Sequence, residues 1–456
     1  MSHDGLNAAF QRLTVEKMKC DLETSGASVR DLINAVLTAI SVHPDGPRIF
    51  PHGPDSRAPD RADRVDALRR EGRDLALGGI PISIKDNIAQ RGVPLCAGSR
   101  FLKNDGPARN DAEVVSRLEA AGAVIVGRTN MTELAFSGLG INPHYGTPPN
   151  PAAPLCAPGG SSSGAAASVA AGLAAAAIGT DTSGSCRIPA AFCNIVGFKP
   201  TAHRISQNGV FPLSHSLDSV GILARSVDCC ATIDAVLADD GARAPARPSA
   251  AGLKLADLTE ALGMDSDPAV TTACAAAIER LRSAGVGIET LAMDVLPRVR
   301  TINREGGFGS VELFHHLQER LSGIEGLMDP RVLRRIRKGE SISDDSYRTM
   351  RNLRAELIDS ARAQLDCYDA VLMPTVAIAP PQLSDLEADE DFDRINLLAL
   401  RNAGIANLLD RCAVTIPCTQ KQGVPVGLTL MGRHGDDRAL LAIASVLEPL
   451  IRDDRG

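Results

Sequence analysis

The stretch GTDTSGSCRIP, Gly179 to Pro189, holds Ser185 between a glycine and a cysteine, with Asp181 as its nearest carboxylate and no histidine near it. A serine hydroxyl is a weak nucleophile until a base lies within hydrogen-bond reach, so the rest of the chain must supply one. In GIPISIKDNI, residues 79–88, an apolar strand-like run ends in Lys85. A lone lysine is ordinarily a surface charge, but one carried into a buried setting loses its proton readily. A neutral lysine then serves as a general base, directly or through a bridging hydroxyl.

A third stretch, PGGSSSGAAASVAAG at residues 158–172, runs from a glycine–serine loop into helix formers with tiny side chains. Such a loop presents unpaired backbone N–H groups and the positive end of a tightly packed helix. It has neither G-x-x-x-x-G-K-S/T nor G-x-G-x-x-G, the patterns of a phosphate cradle. GSSSG does match the G-x-S-x-G nucleophile elbow, with Ser162 central and His434 as a downstream base. An elbow follows an apolar strand, however, and the preceding NPAAPLCAPG is broken by proline.

These side chains need elements to hold them. DAEVVSRLEAAGAVIVGRTN has a helical apolar period through Val114, Val115 and Leu118, a stop at Gly122, then a strand-like run. The unit recurs in DPAVTTACAAAIERLRSAGVGIETL, where Asp267 is placed to cap, Pro268 to open and Gly285 to end a helix. Helix–glycine–strand units predict an α/β sandwich with a largely parallel sheet. YDAVLMPTV and VGLTLMG add late strands. PHGPDSRAPDRAD and DDGARAPARPSA read as loops, the second equally as a domain boundary or as a surface connection within one domain. The basic run at residues 331–338 reads as a solvated helix face.

Composition sets limits. With 44% hydrophobic and 23% charged residues the chain is globular, and with no Trp and 3 Tyr its core must be built from Ala, Leu, Val and Ile. A formal charge of −7 excludes a general nucleic-acid binder. MSHDGLNAAFQRL lacks the basic region and apolar run of a secretory signal, and no charge-free apolar run is long enough for a membrane span. Eleven scattered cysteines without a C-x-x-C pair point to reduced cytosolic thiols rather than a disulfide framework or zinc site. Cys229 and Cys230 read as small buried hydrophobes.

In order and spacing, GIPISIKDNI, GRTNMTELAFSG, PGGSSSGAAASVAAG, GTDTSGSCRIPAAFCNIVGFKPT and SLDSVGILARSVDC resemble the motifs of the amidase signature family, most strongly from Gly79 to Cys230. YDAVLMPTV and ANLLDRCAVTIPCTQKQGVPVGLTLMG are similar to its closing strands. The resemblance implies an α/β fold with a large central mixed, mostly parallel sheet covered by helices on both faces. It implies one domain over residues 1–456, with a motif core at 79–230 and a variable helical substrate-pocket region near 300–360. It also implies a Ser–cisSer–Lys triad: Ser185 as nucleophile, Ser161 after a cis peptide from Gly160 as bridge, and Lys85 as base.

By the same resemblance the backbone N–H groups of Thr182, Ser183, Gly184 and Ser185 form the oxyanion hole, and Met131 and Ser162 contact substrate. Neither a metal nor an organic cofactor is required. The implied activity is hydrolysis of a small-molecule amide through a seryl acyl-enzyme, with release of ammonia or an amine. Two alternatives share that triad: a glutaminase-type A subunit of a tRNA-dependent amidotransferase, and a carbamoyl- or urea-type hydrolase of the allophanate or carboxybiuret branch. The expected partner is the amide alone, in the cytoplasm, without nucleic acid or membrane, and a homodimer is admitted. Two departures stand out: Ser183 and Ser163 occupy positions where many members carry glycine. Asp181 and Arg187 read as an ion pair bracing the turn, and Cys186 is a rival nucleophile only if folding brings a histidine to it. His315 and His316 read as surface or packed residues.

Overall fold

The computed structural model describes residues 14–24, 26–239, 241, 245–263, 265–293, 295–302, 307–419 and 423–452. The N-terminal stretch read for a secretory signal, through residue 13, lies outside them, as does part of DDGARAPARPSA. Among the described residues ten strands are formed: β1 Pro81–Lys85, β2 Val124–Thr129, β3 Ala176–Asp181, β4 Val196–Lys199, β5 Ser219–Ala224, β6 Lys254–Asp257, β7 Gly287–Thr290, β8 Ala370–Pro374, β9 Ala413–Pro417 and β10 Gly427–Met431. They make one sheet in the order β2-β1-β3-β5-β4-β9-β10-β8-β6-β7. Strands before and after the segment at 239–250 therefore share that sheet.

The sheet is mixed, and its two hands are segregated. On one flank β1 pairs in parallel with β2 and β3, and on the other β6 pairs in parallel with β7 and β8. From β3 through β5, β4, β9 and β10 to β8 every pairing is antiparallel. Strands such as β3 and β5 are buried at every position. A strand with no exposed face must be covered on both sides, which is why these segments read as continuous small apolar runs rather than alternating ones.

The helix–glycine–strand units form as read. Helix Glu113–Ala120 buries Val114, Val115 and Leu118 and leads through Gly122 into β2. Gly122 has φ +88°, and a Cβ there would lie 3.0 Å from Gly78 Cα, so the turn requires glycine. Helix Pro268–Ser283 likewise ends before Gly285 at φ +85°. Asp267 precedes it but does not cap it with its side chain; the carboxylate instead accepts the Ala379 N–H at 2.8 Å.

The basic run departs from expectation. Helix Pro330–Lys338 is clamped onto helix Asp389–Leu408 rather than solvated. Arg331 and Arg334 pair with Asp389, Arg334 and Arg335 pair with Asp393, and the Arg331 and Arg335 guanidinium groups stack on the Phe392 ring at 4.4 and 5.2 Å. Acidic residues in the first turn of the longer helix supply the counter-charge, and they lie more than fifty positions away in the sequence. All eleven cysteines are free thiols, with Cys229 and Cys230 buried. Among the described residues no helix is long and apolar enough to cross a membrane.

Candidate active site

Lys85 ends β1. Parallel pairing sets Ile84 of β1 opposite Ile178 of β3, so Lys85 follows alongside the Gly179–Thr180 end of β3. Its side chain is fully buried, with Nζ 2.8 Å from Ser161 Oγ, 2.8 Å from Thr180 Oγ1 and 3.5 Å from Thr180 O. The Asn87 amide donates to the same Thr180 hydroxyl at 3.1 Å. Burial brings the ammonium down from its ordinary 10.5 to about 8, against the opposing pull of Cys186, Asp218 and Asp181. That value leaves roughly a fifth of the amine neutral at pH 7.4.

Ser161 follows a cis peptide from Gly160. Its carbonyl accepts the Thr132 N–H at 3.1 Å, and the Gly160 N–H donates to Gly138 O at 2.8 Å. A Cβ on Gly160 would lie 2.6 Å from Gly140 N, so no larger residue fits. Helix Ser163–Ala170 carries only small side chains because it lies hard against the sheet side of the site: a Cβ on Gly164 would come 2.6 Å from Asn130 N, and Ser168 Oγ is 2.9 Å from Ser83 Oγ of β1.

Ser185 sits just before helix Arg187–Phe192, and the Ser162 N–H donates to its carbonyl at 3.1 Å. Among the described residues the Ser161 and Ser185 hydroxyls are not hydrogen-bonded to each other. Such catalytic contacts commonly close only around substrate. Asp181 organises the turn. Its carboxylate accepts the Gly184 N–H at 2.8 Å, the Cys186 N–H at 3.1 Å, Arg187 at 2.9 and 3.1 Å, and the Asn407 amide at 3.0 Å. Burial alone would raise this carboxyl, but Arg187, with Lys199 and Asn407, overrides it and holds Asp181 well below the usual carboxylate range. Asp181 and Arg187 thus brace the turn as an ion pair.

That bracing bears on the expected oxyanion donors. The Gly184 N–H is committed to Asp181, so of the four expected donors only those of Thr182, Ser183 and Ser185 keep an N–H without an intramolecular partner among the described residues. Gly184 is needed for its shape: φ is +109°, and a Cβ there would fall 2.3 Å from Ala403 Cβ. Ser183 is half-buried beside Gly404 of helix Asp389–Leu408.

The two residues expected to contact substrate are buried, as Lys85 and Ser161 are. Ser162 is fully buried and donates to Thr180 O at 3.3 Å, and Met131 is fully buried in a cluster with Phe101, Leu134 and Leu213. The elbow does not assemble either, since His434 is exposed and bonded at Nδ1 to Asp410 O at 2.9 Å. No described histidine hydrogen-bonds to Ser162, Ser185 or Cys186. Burial and Asp181 push the Cys186 thiol up to about 12, far from a reactive thiolate. His315 and His316 are exposed, His316 edge-on to Phe211 at 5.3 Å.

His52, Asp86 and Cys96 bring ligand atoms within 4.8 Å of one another, but the Arg128 guanidinium already sits 3.2 Å from Asp86 Oδ1. A cation position filled by arginine is a poor place for a metal ion. Sequence reasoning missed Thr180, Asn87, Asp218 and Asn407. All four stood inside quoted stretches, Thr180 one residue before Asp181 and Asn87 two after Lys85, but only folding brings those stretches together.

The sequence model of the amidase family matches residues 55–441. The 2-amino-5-chloromuconic acid deaminase of Comamonas testosteroni is 37% identical, with 87% of each chain covered. The indoleacetamide hydrolase of Pseudomonas syringae pv. syringae is 32% identical, covering 83% of this chain and 86% of that one. The solved structure of the native peptide amidase from Stenotrophomonas maltophilia superposes with a TM-score of 0.78 at 27% identity, covering 96% of both chains. With that model spanning most of the chain and relatives above 30% identity over most of their length, the protein belongs to the amidase signature family of C–N hydrolases.

Proposed function

We propose that the protein hydrolyses a small-molecule amide through a seryl acyl-enzyme, with Ser185 as nucleophile, Ser161 as relay and Lys85 as base. The observation that carries this reading is the 2.8 Å contact between the buried Lys85 amine and the Ser161 hydroxyl. A neutral lysine has two N–H donors and one lone pair. Thr180 O and Thr180 Oγ1 take the two donors, which leaves the lone pair for the Ser161 proton. As Lys85 accepts that proton, Ser161 takes the proton of Ser185, and Ser185 Oγ bonds to the amide carbon.

The resulting oxyanion is met by the N–H groups of Thr182, Ser183 and Ser185, each worth about 2.7–4 kcal/mol if typical of such donors. The proton then returns from Lys85 through Ser161 to the leaving nitrogen, the C–N bond breaks, and ammonia or an amine departs. Water repeats the relay on the acyl-enzyme. The relatives act, by name, on a chloromuconic acid and on indoleacetamide, which supports a small conjugated or aromatic substrate. The reading takes the chain as one catalytic domain in the cytoplasm, supported by the shared sheet and the free thiols.

The test is a panel of primary amides turned over by the purified chain, with ammonia release measured and the Ser185 adduct detected by mass. Turnover by the isolated chain supports the reading. Ammonia release that requires added partner subunits instead makes this an amidotransferase A subunit. Acyl-enzyme formation that survives Lys85→Ala and is abolished by His434→Ala overturns the triad.

A further inference from the structure

Helix Asp389–Leu408 carries a second buried asparagine that reaches the backbone of the proposed triad. Asn396 offers one oxygen, Oδ1, to two donors of a single loop: the Ser137 hydroxyl at 2.9 Å and the Gly138 N–H at 2.8 Å. The carbonyl of that same Gly138 accepts the Gly160 N–H at 2.8 Å, and Gly160 begins the cis peptide to Ser161. Asn396 is thus two hydrogen bonds away from the backbone that carries the Ser161 hydroxyl. The two loops are in direct contact as well. A Cβ on Gly140 would lie 2.3 Å from Gly159 O, and one on Gly160 would lie 2.6 Å from Gly140 N. Backbones packed this closely move together.

The same face of the helix seats the turn of Ser185. Ala403 and Asn407 follow Asn396 by close to two and three full turns, so the three residues stand in one row about 16 Å long. At Gly184 a Cβ would fall 2.3 Å from Ala403 Cβ, and the Asn407 amide holds the Asp181 carboxylate at 3.0 Å. Within the row, a Cβ on Gly138 would lie 3.1 Å from Leu400 Cδ2 and 3.3 Å from Ile188 Cδ1, on the short helix after Ser185. Glycine at 138 and at 184 therefore lets both turns sit directly on one helix. Helical hydrogen bonding fixes the rise per residue, and with it the distance between the two seats.

We infer that Asn396 is a positioning residue for the Ser161 relay, and that helix Asp389–Leu408 sets the spacing of Ser161 and Ser185 by seating one turn at Asn396 and the other at Ala403 and Asn407. This rests on the proposed triad. Asn396 acts through Gly138 and Gly160. Without its oxygen two buried donors lose their acceptor, and the turn must shift to satisfy them. In amide cleavage Ser161 is used twice: it takes the proton of Ser185, and it passes one to the leaving nitrogen. A p-nitrophenyl ester needs only the first transfer, because p-nitrophenolate departs without a proton. A misplaced relay therefore costs the amide more than the ester, whereas a loss of folded protein costs both equally.

The experiment measures kcat/KM for phenylacetamide and for p-nitrophenyl phenylacetate in purified wild type, Asn396→Ala, Asn396→Leu, Asn396→Asp and Lys85→Met, with thermal melting to check folding. Asn396→Ala should lower kcat/KM on the amide about a hundredfold, and the amide-to-ester ratio about tenfold or more. Asn396→Asp keeps an oxygen for both donors and should hold the ratio within about threefold of wild type. Should Asn396→Ala fail to fold, Asn396→Leu, which fills the volume without an acceptor, carries the comparison. Equal loss on amide and ester, or a ratio in Asn396→Asp as low as in Asn396→Ala, overturns the inference. The triad is read separately. Full amide turnover by Lys85→Met overturns the triad and the inference with it, whereas a damaged Lys85→Met beside an unaffected Asn396→Ala overturns the inference alone.

Discussion

At the scale of single residues, the protonation of Lys85 sets both stability and, in the proposed mechanism, rate, and both favour the neutral amine. Only the neutral amine accepts a proton, so kcat/KM should rise with pH up to about 8 and level off above it. Lys85→Met should abolish that limb and lower kcat/KM by about a hundred- to ten-thousand-fold. A pH–rate profile that is flat across 6–9 in folded enzyme would count against the base. Stability moves in the same direction, in a higher pH window. The folded group has its pKa lowered from 10.5 to about 8, so the unfolded chain binds more protons between those values and stability rises with pH through that window. Below it the full burial penalty of roughly 3 kcal/mol applies. Lys85→Met should therefore raise the urea midpoint at pH 7, with the gain shrinking as pH approaches 10.5. Thr180 sharpens the same point: its hydroxyl and carbonyl absorb the lysine donors, a role that spacing alone could not reveal.

At the scale of elements, units complete within about twenty residues were legible, because caps, stops and apolar periods are local. The sheet's antiparallel centre was not, since β4 meets β9 across a long insertion and nothing in a short strand records its partner's direction. The clamp between helices Pro330–Lys338 and Asp389–Leu408 was hidden for the same reason, and it makes its own prediction. Arg335 is largely buried, and burial lowers its pKa even with Asp393 beside it. Asp393→Ala strips that guanidinium of its carboxylate and should cost about 1–3 kcal/mol of unfolding free energy. Asp389 is more than half exposed, so Asp389→Ala should cost no more than about 1 kcal/mol. Chemical denaturation of the two variants orders them, and a larger loss at Asp389 would show that the clamp is a surface feature.

At the scale of the whole molecule, the chemistry is written in residues 79–230 but held from outside them. Asn407, near the end of helix Asp389–Leu408, lies 226 positions from Asp181, yet its amide donates to both the Asp181 carboxylate and carbonyl at 3.0 Å, and its oxygen accepts Arg187 Nη2 at 2.7 Å. The Asp181 carboxylate in turn holds the Gly184 and Cys186 N–H groups on either side of Ser185, so the direction of the proposed nucleophile depends on a helix late in the chain. Two substitutions separate loss of packing from loss of aim. Asn407→Ala leaves buried donors and acceptors unpaired, at about 1–3 kcal/mol each, and should lower stability and acylation together. Asn407→Asp keeps the shape but sets a second carboxylate against Asp181, which raises the pKa of one of the pair. Its acylation rate should fall further than that of Asn407→Ala, and more steeply above neutral pH, where both acids are ionised. Stopped-flow formation of the Ser185 acyl-enzyme, followed from pH 6 to 9 in both variants, decides it. Equal rates at every pH would mean that Asn407 only fills space.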